Sequence, residues 1–232
     1  MRRMGLIVSG AALAALSAPV LASPQPVIGV TTSGQPTRYA IAGQPARITG
    51  FRSALWGMTP AEVRAAIARD FTAARVSAAV RDPATGNSAI IAPMASLVPG
   101  PGPAAISYVF GASTGRLIHV NLDWTVKSPT PAQRIAVRDA GAAAVARVLG
   151  QQYKIGSVMR GVVVQPDLVV LFAAADAQGG ALDVHAGGIP YTLGTGPGAR
   201  QVEPATGPAT LHLGFSAPPA PSTADTLKPG AF

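Results

Sequence analysis

His119, Asn121 and Asp123 alternate along one stretch of chain, and Asp183 and His185 repeat that spacing further on. In an extended strand, residues two apart project from one face with Cα atoms ~6.6 Å apart. An imidazole and a carboxylate placed this way can share a hydrogen bond, supply two ligands to a metal ion, or present a polar surface to a partner. A zinc site needs three or four ligands converging from such elements. The chain offers 3 histidines, 10 acidic residues and no cysteine. On the residues alone an ordinary solvated sheet face is favoured over a metal site; protein recognition by this face is a third reading, implied by a resemblance of layout rather than by these residues. His119, Asn121, Asp123, Asp183 and His185 are the expected binding residues, and no metal, cofactor or catalytic residue is assigned.

Gly111-Ala112-Ser113-Thr114-Gly115 has the G-x-S-x-G spacing of a nucleophile elbow. That device needs a strand, a sharp turn and then a helix. Here the run that follows the turn alternates like a strand. His119 lies three residues past Arg116, ~10 Å along an extended chain, so it cannot reach Ser113 locally. Only His185 or His212, arriving on another strand, can supply a base. A Gly/Ser/Thr hairpin turn is expected at 111–115. The alternative is a periplasmic hydrolase that uses Ser113 or a His/Asp cluster. No phosphate-cradling loop, dinucleotide fingerprint or HExxH stretch is present.

The elements that position these residues are legible from caps and periodicity. Thr59-Pro60-Ala61-Glu62 is a helix start: Thr59 caps, Pro60 fits the first helical position and Glu62 closes a capping box. Val63, Ala66, Ile67 and Phe71 then form one apolar stripe. Thr130-Pro131-Ala132-Gln133 repeats the device, and Gly150 follows the helix it opens. Ile135, Ala142, Val145, Ala146 and Leu149 share a face of that second helix. Strands are expected at 76–80, 88–92, 106–110, 117–125, 157–164, 168–175 and 181–186, with another at 210–215. Trp124 falls in register with the apolar face of its strand and is expected in the core.

The order is helix, meander, helix, meander. The expected class is α+β, an antiparallel sheet packed by two helices. A tandem helix-plus-meander repeat is one account of that order; independent convergence of caps and hairpins on the same residues is the other. The divisions expected are a signal peptide at 1–22, a leader at 23–50, units at 51–128 and 129–216, and a flexible tail at 217–232.

Length, charge and composition set the frame. The chain has 232 residues, which suggests one domain or two small ones. Charged residues make up only 12% and hydrophobic residues 48%. These values exclude a coiled coil and charge-driven disorder. The absence of cysteine excludes a disulfide scaffold and thiolate chemistry. Met1-Arg2-Arg3, an apolar run from Met4 and small residues before Ser23 give the three-part layout of a secretory signal peptide. Its apolar core of about 13 residues is short of the ~20 that span a bilayer. Lys and Arg number 18 against 10 Asp and Glu. The basic residues are scattered, without the aromatic interleaving that stacks bases, so nucleic acid is not an expected partner.

Trp56-Gly57-Met58-Thr59-Pro60-Ala61-Glu62-Val63-Arg64 resembles the G-M-T-x-x-E-V opening of small envelope proteins of the SmpA/OmlA (BamE) type. That resemblance implies an α+β fold and a non-catalytic role beside outer-membrane protein assembly. A doubled helix-plus-meander is similar in layout to the beta-lactamase inhibitor protein, which implies protein binding by a sheet face. The runs 51–71 and 108–124 also resemble uncharacterised secreted proteins of alphaproteobacteria. Together these readings lead to one expectation. The chain is an exported, periplasmic or secreted, non-enzymatic protein that binds envelope proteins through a polar sheet face. It has no membrane span after signal cleavage. A small-ligand-binding protein, with an apolar cavity between helices and sheet, is a further alternative.

Overall fold

The computed structural model describes residues 27–28, 43–71, 75–194, 196–204 and 206–219. The expected signal peptide at 1–22 and residues 220–232 of the expected tail lie outside them.

Both threonine-led starts form helices. In α1 (Pro60–Asp70), the Glu62 N–H donates to Thr59 Oγ1 at 3.4 Å, and the Thr59 N–H donates back to the Glu62 carboxylate at 2.8 Å. In α2 (Pro131–Val148), the Gln133 N–H donates to Thr130 Oγ1 at 3.3 Å, and the Thr130 N–H donates to Gln133 Oε1 at 2.8 Å. These reciprocal bonds satisfy amide donors that have no partner within the helix. The inward face of α1 is Val63, Ala66 and Ile67, the stripe its spacing predicts.

The inward face of α2 is a different set from the expected one. Val137, Arg138, Ala140, Gly141, Ala144 and Val145 are buried, while Ile135, Ala142 and Ala146 are exposed. An alanine-rich helix carries no strong apolar stripe, so close packing selects the face. A Cβ built on Gly141 would stand 2.4 Å from Leu171 Cδ1, so the bare backbone there admits the helix to the sheet. The buried Arg138 instead turns its guanidinium to Asp139 Oδ1, at 2.9 Å from Nε and 2.8 Å from Nη2.

The strands, in chain order, begin with four short segments: β1 (Val27–Ile28), β2 (Gln44–Pro45), β3 (Gly50–Phe51) and β4 (Ala54–Leu55). A first meander follows α1: β5 (Val80–Arg81), β6 (Ser88–Met94), β7 (Ala104–Phe110) and β8 (Leu117–Val126). After α2 come β9 (Gln151–Gln152), β10 (Met159–Gln165), β11 (Leu168–Ala175) and β12 (Ala181–Gly187). The chain then adds β13 (Tyr191–Leu193), β14 (Arg200–Val202) and β15 (Ala209–Ser216).

The expected α+β fold, a sheet packed by two helices, is corrected by this arrangement. Among the described residues the structure is mostly β, with 41% strand and 19% helix. An average domain carries about 30–35% helix and 20–25% strand. Its body is one eight-stranded antiparallel sheet in the order β10-β11-β12-β15-β8-β7-β6-β5. Helix α2 lies across β11, β12 and β15, whereas the main partner of α1 is β4 in the small β3–β4 hairpin. The long alternating strands dominate because each buries a whole face, while α1 buries a stripe of three residues.

The sheet is continuous where the last strand of the first meander meets the last strand in chain order. β8 pairs with β15 from Val126↔Ala209 to His119↔Ser216. The inward face comprises Ala104, Ile106, Tyr108 and Phe110 of β7, Leu117, Val120, Leu122 and Trp124 of β8, and Leu182, Val184 and Ala186 of β12. The Trp124 indole N–H donates to the Leu97 carbonyl at 3.1 Å, so its burial leaves no donor unpaired. Asp176 is buried at the β11–β12 turn. Its carboxylate accepts the N–H groups of Ile48 at 2.8 Å and of Gln178 and Gly180 at 2.9 Å, which ties the 43–49 segment to the sheet.

Candidate functional site

Strand alternation sends one set of side chains inward and the other to the opposite face. On the opposite face, β8 presents His119, Asn121 and Asp123, and β12 presents Asp183 and His185. These strands are not neighbours. β15 runs between them and adds His212, Gly214 and Ser216 to the same face. His212 is directly opposite Asp123 on one side and His185 on the other. The five residues singled out from sequence therefore share one surface, joined by a sixth, His212.

Side chains on this face connect across three strands. His212 Nδ1–H donates to Asp123 Oδ1 at 2.7 Å. Its Nε2 lies 3.6 Å from Asp183 Oδ2, and His185 Nε2 lies 3.3 Å from that same oxygen. The two imidazole rings are 5.7 Å apart between centroids, tilted by 45°. All four side chains are half-buried, with 31–33% of Asp183, His212 and His185 exposed and 47% of Asp123. The hydrogen bond to Asp123 raises the His212 pKa, opposed by burial and assisted by the charges of Asp123 and Asp183. His212 thus becomes a protonated bridge between two carboxylates at higher pH than a free imidazole would.

Gly214 makes room for this arrangement. A Cβ at that position would stand 2.5 Å from Asp183 Oδ1. The carboxylate of Asp183 lies over the bare backbone of β15 and so comes within reach of His212.

His119 and Asn121 lie further along β8. His119 Nδ1 hydrogen-bonds Ser216 Oγ at 2.9 Å, and it does not join the Asp123–His212–Asp183–His185 chain. At ~3.3 Å per residue, His119 is ~13 Å from Asp123. No carboxylate completes the His119–Ser216 pair among the described residues. Among those residues, no set of three His, Cys, Asp or Glu converges as a metal-binding group.

Ser113 sits in the exposed turn between β7 and β8. That turn is closed by Gly111 N–H to Arg116 O at 2.9 Å and Gly115 N–H to Gly111 O at 2.8 Å. A strand follows it, not the helix an elbow needs. Each imidazole is engaged elsewhere: His119 with Ser216, His212 with Asp123, and His185 beside Asp183.

The charge distribution around the site is uneven. Strands β6, β7, β8, β11, β12 and β15 contain none of the chain's 18 lysines and arginines. They hold all three histidines, and their only acidic residues are Asp123 and Asp183. His212 carried a readable signal in the sequence. Leu211, Leu213 and Phe215 alternate with His212, Gly214 and Ser216, the period of a half-buried strand. What sequence did not reveal was the place of β15 between β8 and β12. No known protein family, curated protein or solved structure matches this chain.

Proposed function

We propose that this chain is an exported, non-enzymatic protein that binds an envelope protein through the polar face of its eight-stranded sheet. One observation carries the reading. All three histidines and two aspartates gather on adjacent strands β8, β15 and β12, half-exposed, and these three strands contain no lysine or arginine. Burying such groups against the core would cost several kcal/mol (~2–7 per unpaired polar group). A partner able to pair them recovers that cost, and a rigid sheet holds them in fixed geometry. The resemblance at 57–63 to the SmpA/OmlA (BamE) opening falls on the capped start of α1 and supports an envelope setting.

Two measurements test the reading. Export predicts that the protein recovered from the periplasm or medium begins near Ser23; intact mass retaining residues 1–22 overturns it. Binding by this face predicts that an envelope protein captured by the wild type is lost by Asp123→Ala/His185→Ala, with the circular dichroism spectrum preserved. Retention of the partner by this folded variant would assign recognition to another surface.

A further inference from the structure

Within the eight-stranded sheet, the β15–β8 pairing joins the strands that precede α2 to those that follow it. Among the described residues two side-chain hydrogen bonds cross that join, His119 to Ser216 and His212 to Asp123, and both use an imidazole. They respond differently to a proton. A serine hydroxyl both donates and accepts, so the His119–Ser216 bond forms with the ring neutral or charged. An ionised carboxylate only accepts. His212 meets one at each nitrogen: Asp123 Oδ1 is 2.7 Å from Nδ1, and Asp183 Oδ2 is 3.6 Å from Nε2. Only the imidazolium carries hydrogen on both nitrogens. In the neutral ring, with Nδ1–H kept on Asp123, Nε2 turns a lone pair towards the Asp183 carboxylate.

The surrounding elements hold no cation that replaces the lost charge on β15. The groups that face His212 are Asp123 from β8 and Asp183 and His185 from β12. His185 Nε2 is 3.3 Å from Asp183 Oδ2, a contact within β12 that does not reach β15. The next strands out, β7 and β11, contain no lysine, arginine, histidine, aspartate or glutamate, and Tyr108 of β7 is buried on the core side. Arg160 lies on β10, two strands beyond β12.

We propose that β15 is held by a proton-dependent clasp: the His212 imidazolium ties it to β8 through Asp123 and to β12 through Asp183, and loss of one proton to solvent releases the β12 side and weakens the β8 side. There an ion pair becomes a hydrogen bond from a neutral ring. The clasp is closed on the acid side of the His212 titration and opens as pH rises through it. The hydrogen bond to Asp123 raises the His212 pKa, so closure begins at higher pH than a free imidazole gives. The device belongs to the sheet itself and stands whether or not this face binds a partner.

The test is amide hydrogen exchange of the purified protein, followed by NMR between about pH 5.5 and about pH 8.5 and expressed as protection relative to intrinsic exchange. The β6–β7 pairing, which His212 does not touch, is the reference. As pH rises, protection of the β15 amides and of their partners on β8 and β12 is expected to fall about threefold more than that of β6–β7, the scale of half-exposed ion pairs. His212→Gln abolishes the difference, Asp183→Asn confines it to the β8 side, and His119→Gln keeps it. Above the His212 midpoint, the ring nitrogens are expected to show the Nδ1–H form. Protection that tracks β6–β7 across the range, a response unchanged in His212→Gln, or Nε2–H in the neutral ring overturns the clasp. If His212→Gln does not fold, Asp183→Asn decides: a pH response retained by its β12 amides overturns the proposal.

Discussion

His212 Nδ1 stands 2.7 Å from Asp123 Oδ1, a hydrogen bond between residues separated by 89 positions in the chain. It joins the first long meander to the last strand on the face away from the core. Because Asp183 and His185 approach from the other flank of β15, one imidazole couples three strands electrostatically. Protonation of His212 therefore reports on the cluster it forms with Asp123, Asp183 and His185.

The folded chain holds the His212 proton to higher pH than the unfolded chain, whose imidazole titrates near ~6.5. The stability this proton contributes is complete below the unfolded value and is lost as pH rises through the folded one. An NMR titration of the imidazole is expected to show a midpoint above that of an unfolded-chain histidine. Asp123→Ala is expected to move it downward, because the hydrogen bond to Asp123 is the main cause of the elevation. A midpoint unmoved by this change would mean the bond does not persist in solution.

Gly214→Ala places a methyl group 2.5 Å from Asp183 Oδ1. The carboxylate is half-exposed and swings away, so the stability cost is small, about 1 kcal/mol, at the lower end of the overpacking range. The sharper effect is on His212, whose titration shifts down as the Asp183 charge recedes. Unfolding in urea and the histidine titration, done on the same sample, separate the two effects.

Gly100→Ala has a different outcome because its obstacle cannot move. A Cβ there would meet three atoms of the Trp124 indole at 2.2–2.3 Å. That ring is buried and anchored by its N–H to the Leu97 carbonyl. A loss of about 2–3 kcal/mol in urea unfolding is expected, with quenched or shifted tryptophan fluorescence. A neutral result would show that the loop bearing Gly100 moves freely.

Asp176→Ala removes an acceptor from three backbone N–H groups, those of Ile48, Gln178 and Gly180. Hydrogen bonds to charged groups contribute about 1.5–3 kcal/mol each, partly recovered where water enters. A net loss of at least about 2 kcal/mol is expected, together with faster amide exchange at Ile48. Unchanged exchange there would separate the 43–49 segment from the sheet.

Local chemistry in the chain was sufficient for the helix starts and for the two-residue alternation of the long strands. A cap involves neighbours three residues apart, and a pleat sends alternate side chains to opposite faces whatever pairs with them. His119, Asn121, Asp123, Asp183 and His185 were therefore recognisable as outward-facing from spacing alone. Strand order is a long-range property, and only the tertiary structure placed β15 between β8 and β12. That insertion made His212 the centre of the site and left His119 outside it, paired with Ser216. The buried side of α2 was likewise decided by packing: Gly141 lies against Leu171 and Arg138 turns to Asp139, whereas periodicity pointed to a face whose Ile135, Ala142 and Ala146 are exposed. The mostly-β class followed from the same contest, since long pleated strands bury more apolar surface than α1 does with its short stripe.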